Sequence, residues 1–118
     1  MKTYTGGCHC GAVRFTVEAD IEGGTVLSCN CSHCQIKGLL LSFVPATQFT
    51  LVSGDEYLTE YRFNKNVIEH RFCNMCGVQP FGRGKGPDGS ETAAITVRCI
   101  DGIDLETLSI TKYNGKDM

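Results

Sequence analysis

The segment SCNCSHCQIKG, Ser28 to Gly38, places Cys29, Cys31 and Cys34 within six positions and has no fourth cysteine near it. Two further clusters lie elsewhere in the chain, CHC at Cys8 and Cys10 and CNMC at Cys73 and Cys76, so seven of the eight cysteines are grouped. Thiolates at these spacings are metal ligands. A Cys-x-x-Cys turn lets two sulfurs converge on one ion, and Gly77 directly after Cys76 suits the left-handed backbone that often closes such a turn. Cys-x-Cys does the same on an extended chain, where residues two apart point to one side. Cys8, Cys10, Cys73 and Cys76 together supply four sulfurs, which makes a closed, structural tetrahedral zinc site.

Cys29, Cys31 and Cys34 then form a set of three with one corner left over, the usual arrangement of a reactive zinc. Three thiolates on Zn²⁺ leave a net charge of about −1, a softened Lewis acid that suits an incoming thiol better than a hard oxygen ligand. Other partitions complete this set with His9, His33 or His70. His33 lies between two of the ligands and is badly placed to reach the same ion, and His70, beside Arg71 in a strand, reads as an ordinary edge histidine. Cys99 stands alone on the apolar face of an alternating segment and reads as a small core hydrophobe.

The elements that must carry these clusters are mostly strands. Val13, Phe15 and Val17 alternate with polar residues in GAVRFTVEA, the pattern of a half-buried strand. TVLSC and LLLSFV are short apolar runs of strand length, with Pro45 ending the second. YLTEYRF alternates, VIEHRFC runs into the CNMC cluster, and TAAITVRCI puts Ile95, Val97 and Cys99 on one face. PATQFTLVSGDE reads as a turn-rich connection in which only Pro45 to Phe49 suits a helical turn, too short for a stable amphipathic helix. TGGC, EGG, GRGKGPDG and DGID read as turns. GRGKGPDGS lacks the spacing of a phosphate loop and reads as a surface loop. The expected class is mainly β.

At 118 residues the chain has the size of one domain, 1–118. A net charge of −2 with scattered basic residues argues against a nucleic-acid surface. No apolar run approaches the roughly 18 residues of a spanning helix, and MKTYTGGCHC lacks the apolar middle of a signal peptide, which predicts no membrane partner and a cytoplasmic protein. Eight cysteines in a reducing compartment suit metal better than a disulfide framework. A disulfide redox protein using CNMC or CSHC is the weaker alternative.

GGCHCGAVRFTVE, CNCSHCQIKG and RFCNMCGVQPF, in this order, resemble the glutathione-dependent formaldehyde-activating enzyme (S-(hydroxymethyl)glutathione synthase) family, whose domain is shared with centromere protein V. The resemblance runs from about Gly6 to VRCIDGIDL. It implies an Mss4-like fold of small, folded-over antiparallel sheets, a structural zinc on Cys8, Cys10, Cys73 and Cys76, and a catalytic zinc on Cys29, Cys31 and Cys34. The implied reaction, run in either direction by a carbon–sulfur lyase, joins the thiol of glutathione to formaldehyde or a related aldehyde. Gln35 and Ile36 depart from the basic residue that many relatives carry after the last cysteine, and Lys37 takes that role. Arg14, Lys37, Arg62 and Arg71 are the unranked candidates for glutathione's carboxylates.

His33 or His70 is expected to move the alkoxide proton. Lowering a thiol pKa from about 8.5 to about 6.5 raises the thiolate fraction at pH 7 roughly 25-fold. The accompanying loss of nucleophilicity, roughly tenfold, leaves only a two- to threefold gain, so orientation of the two reactants must supply most of any catalysis. That weakness keeps a second expectation in view, a non-catalytic zinc-binding module that holds a thiol ligand or a partner protein.

Overall fold

The computed structural model describes residues 1–62, 68–86 and 88–114. Phe63, Val67 and Pro87, which belong to segments read above, lie outside the described residues. Among the described residues there are ten strands: β1 (Lys2–Gly7), β2 (Arg14–Ala19), β3 (Thr25–Cys29), β4 (Leu40–Pro45), β5 (Phe49–Ser53), β6 (Leu58–Tyr61), β7 (Glu69–Cys73), β8 (Phe81–Lys85), β9 (Glu91–Thr96) and β10 (Ser109–Tyr113). One short helix, α1 (Ser32–Lys37), interrupts the hairpin between β3 and β4. The class is mainly β, as expected.

The strands make two sheets, one in the order β1-β2-β5 and one in the order β10-β3-β4-β9-β8-β7-β6. All pairings are antiparallel except β10 on β3, which runs parallel with Lys112 opposite Ser28 and Tyr113 opposite Cys29. The alternation of β2 is realised directly: Val13, Phe15 and Val17 are buried while Glu18 is exposed. Phe49 of β5 links the sheets, with its ring 5.5 Å from Phe15 and 4.5 Å from Phe81 of β8. Each such ring contributes about 1.5–3 kcal/mol by leaving water. In β4, Leu40 joins this core while Leu41 packs with Cys34 and Leu39 on the other face. Burial on both faces is why LLLSFV lacks alternation.

Several sequence expectations are corrected. Gly6 and Gly7 belong to β1 rather than a turn; a Cβ on Gly6 would stand 2.5 Å from the Cys99 carbonyl oxygen, so glycine is there for close packing. The GRGK portion of the expected surface loop is strand β8, and β5 replaces much of the expected connection after Pro45. The 3-10 turn at Ala46–Gln48 agrees with the only helical turn anticipated there, whereas α1 was not anticipated. β9 ends at Thr96, so Val97 and Cys99 sit in a 3-10 turn instead of on a strand face. Cys99 is half-buried, donates to the Gln79 carbonyl at 3.8 Å, and has its thiol pushed up to about 11 by burial. It still packs against the main core.

Candidate metal centres

The first centre is built by two similar turns. After β1, the Cys8 N–H donates to the Val13 carbonyl at 3.1 Å and Gly11, at φ 83°, donates back to Cys8. After β7, the Cys73 N–H donates to the Val78 carbonyl at 2.9 Å and Gly77, at φ 82°, donates to Cys73 at 2.7 Å. Each turn needs a left-handed residue, and glycine adopts that conformation without a Cβ penalty. Together they bring the sulfurs of Cys8, Cys10, Cys73 and Cys76 within 4.8 Å of one another.

The donor set fits a tetrahedral thiophilic ion. Ligand bonds of about 2.3 Å put tetrahedral sulfurs about 3.8 Å apart. Cys8 and Cys10 are separated by 3.6 Å, and Cys10 and Cys73 by 3.7 Å, Sγ to Sγ. Backbone N–H groups of Val13 and Met75 donate to the Cys8 and Cys73 sulfurs at 3.3 and 3.4 Å; burial acts upward on the Cys8 thiol, but the Val13 N–H and the Cys10 and Cys73 thiols prevail and lower it. The Cys76 thiol is held down to about 6, first by the Val78 N–H. Cys10 goes the other way, to about 11, because neighbouring thiols and burial outweigh the downward pull of the Ala12 N–H. Val13, Leu51, Leu58 and Val78 wall the group with apolar surface.

The second centre is local. Cys29 ends β3, and Cys31 caps α1 by accepting from the Cys34 N–H at 3.4 Å. Cys29 accepts from the Cys31 N–H at 3.4 Å. Gly38, at φ 67°, closes α1 and turns the chain into β4. The sulfurs of Cys29, Cys31 and Cys34 again lie within 4.8 Å of one another, and among the described residues no further Cys, His, Asp or Glu joins this set. Burial pushes the Cys34 thiol up, helped by the Cys31 thiol and the charges of Cys29 and Cys31. Burial also acts upward on Cys31, but N–H groups of Cys34 and His33 and the neighbouring thiols prevail and lower it. Such crowded sulfurs are relieved by a shared cation.

A cleft of about 470 Å³ opens beside Cys29 and Cys34, walled by the end of β3, α1, the turn after β9, and β10. Ser28, Asn30, Gln35, Arg98, Lys112 and Tyr113 are among its lining residues. Its size is that of pockets that enclose small organic ligands. On the other flank of α1 a groove of about 350 Å³ runs between His33, Lys37, Tyr61 and Phe72.

The histidines are not where the cleft needs them. His33 stacks with Tyr61 at 5.6 Å and meets His70 at 4.0 Å between ring centroids, and neither histidine lines the sulfur cleft. Nor is His70 an edge residue, because β7 lies between β6 and β8 and the side chain is buried. Burial first, then the charges of His33 and Lys37, lowers His70 to about 4, and burial lowers His33 as well. His9 is exposed and joins neither sulfur group.

The carboxylate-binding candidates are mostly engaged. Arg14 pairs with Asp101, Arg62 with Glu60 and Glu69, and Arg71 with Asp55, Glu60 and Glu69. Lys37 donates to Gln79 at 2.9 Å and lines the groove. The cations that do line the sulfur cleft, Arg98 and Lys112, were not singled out from the sequence. Neither belongs to a motif, and only the closure of β10 onto β3 brings Lys112 to Ser28.

A crystal structure of a Rhodobacter sphaeroides protein, determined as a structural genomics target, superposes with a TM-score of 0.80 and 27% sequence identity, covering 93% of this chain and 99% of the other. Residues 3–110 match the family described as glutathione-dependent formaldehyde-activating enzyme. That span includes both sulfur groups and nearly the whole of both sheets, so the chain belongs to the glutathione-dependent formaldehyde-activating enzyme family.

Proposed function

We propose that the chain is a zinc-dependent carbon–sulfur lyase and synthase that joins glutathione, or another small thiol, to formaldehyde or a related aldehyde. The observation that carries this reading is the set of Cys29, Cys31 and Cys34, which gathers three sulfurs without a fourth protein ligand among the described residues and borders a cleft through Cys29 and Cys34. Cys8, Cys10, Cys73 and Cys76 would hold a structural zinc, and Cys29, Cys31 and Cys34 a second one. When bound, the second ion would supply Lewis acidity that lowers the pKa of an incoming thiol.

In the reaction the thiol loses its proton, its sulfur forms a bond to the aldehyde carbon, and the carbonyl π electrons move to oxygen, which takes up a proton. The product is a hydroxymethyl thioether. The chain's part is to hold the thiol's sulfur at the mouth of the cysteine set and to enclose both reactants in the cleft, since orientation can supply up to roughly 7–11 kcal/mol. The single-domain organisation and a reducing, cytoplasmic setting belong to the same proposal, because free thiols persist there.

One observation favours the second reading, a zinc module that binds a thiol or a partner protein without catalysis. Among the described residues the cleft is lined by no His, Asp or Glu, the side chains that most often transfer protons. Magnetisation-transfer NMR of formaldehyde with glutathione separates the two. Exchange faster than in buffer with the zinc-loaded protein, lost in Cys31→Ser, is expected; exchange matching buffer for both proteins leaves only the binding role.

A further inference from the structure

The chain has 13 acidic residues against 11 Lys and Arg, yet among the described residues the cleft beside the three-cysteine set is lined by two cations and no carboxylate. The two come from distant places. Arg98 stands in the 3-10 turn after β9, where its Nε donates to the Gly38 carbonyl at 3.2 Å, and Lys112 is carried by β10. Lys2, Arg14, Arg62 and Arg71 are paired with acids; Arg98 and Lys112, like Lys37, Arg83 and Lys85, have no carboxylate partner among the described residues, and of these five only Arg98 and Lys112 line the cleft. The bond from Nε fixes the direction of the Arg98 guanidinium and leaves its terminal nitrogens for another acceptor. A planar guanidinium presents paired donors that match a carboxylate, and an ammonium adds a rotatable point charge.

We infer that Arg98 and Lys112 form a carboxylate-reading pair that selects an anionic thiol and delivers its sulfur to Cys29, Cys31 and Cys34. This deepens the proposed function and rests on it. It replaces Arg14, Arg62 and Arg71, whose guanidiniums are paired with acids. Lys112 lies just beyond the family-matched span of residues 3–110. A competing role for the same cations is to offset the negative charge of three thiolates around a divalent ion. That role makes no distinction between acidic and neutral thiols.

The test titrates the cobalt(II)-substituted full chain with glutathione and with glutathione diethyl ester, whose carboxylates are capped. Sulfur-to-metal absorbance reports arrival of the thiol, and calorimetry reports affinity. Glutathione is expected to bind at least about tenfold more tightly than the ester, the worth of one charge-assisted hydrogen bond. That preference is expected to shrink as salt rises, because both cations are exposed. Arg98→Gln combined with Lys112→Gln brings glutathione to the affinity of the ester and leaves ester binding, metal content and circular dichroism unchanged.

Equal affinity of acid and ester for the parent protein overturns the inference while the thiol reading stands. Equal weakening of both ligands by the substitutions also overturns it, in favour of the charge-offsetting role. Failure of both thiols to alter the cobalt absorbance removes the proposed function and this inference with it. A double variant that does not fold leaves the parent's acid-to-ester ratio as the deciding measurement.

Discussion

The four-sulfur and three-sulfur groups use the same residue and do opposite things with it. Cys8, Cys10, Cys73 and Cys76 come from turns 63 residues apart at their Cys10–Cys73 contact, and they fasten the end of β1 to the end of β7. Cys29, Cys31 and Cys34 lie within one strand end and one helical turn, and they fasten nothing distant. The first is walled by apolar side chains and the second opens on a cleft where Asn30, Gln35, Arg98 and Lys112 stand beside Leu39 and Leu40. On the proposed reading, the cluster that links distant segments braces the fold, and the local three-sulfur cluster keeps a coordination position for an incoming ligand.

The sharpest way to break this contrast is to remove one sulfur from each group. Cys73 is fully buried, and Cys73→Ser is expected to unfold the chain or destabilise it by at least about 5 kcal/mol, since structural zinc contributes on the order of 10–16 kcal/mol. Cys31→Ser is expected to lose about one equivalent of metal and remain folded. Thermal melts followed by circular dichroism, with metal counted by mass spectrometry, check both. Similar melting losses in the two variants would erase the distinction.

A smaller effect compares two left-handed glycines. A Cβ at Gly54, φ 93°, would stand 2.3 Å from the Ala12 carbonyl oxygen, inside the turn that presents Cys8 and Cys10. Gly54→Ala is expected to cost about 3 kcal/mol through strain and overpacking. Gly38 has open space around its Cβ position, so Gly38→Ala is expected to cost about 1 kcal/mol, the conformational penalty alone. Urea midpoints on the metal-loaded proteins measure the difference.

The smallest effect is a pH dependence at the back of α1. Folding lowers His70 from its ordinary value of 6.5 to about 4, so below pH 6.5 the unfolded chain binds a proton that the folded chain refuses. Stability from this source is complete above that pH and is lost as pH falls from 6.5 toward 4. Between pH 7.5 and 5.5 the loss is about 1 kcal/mol. It should disappear in His70→Gln when denaturant midpoints are compared across those two pH values, which also cancels changes common to the metal centres.

The grouping of seven cysteines was legible because ligand spacing is a local property of the chain. Val13, Phe15 and Val17 announced β2 because one face is buried and the other wet. Helix α1 escaped notice for two reasons: six residues are too few to show a period, and its cap is the sulfur of Cys31 rather than a Ser, Thr, Asp or Asn oxygen. β10 is exposed along its whole length, so no apolar alternation marks it, and β1 was obscured by glycines needed for packing. Arg98 and Lys112 were illegible because their meeting at one cleft is a product of sheet order.

The parallel seat of β10 against β3 has a consequence for the order of assembly. β10 is the last of the described strands to leave the ribosome, whereas all seven clustered cysteines have been synthesised by Cys76. A nascent chain can therefore load metal well before the wall that carries Lys112 exists. On the proposed reading, the sulfurs that would hold an ion are made before the strand that would discriminate among visitors.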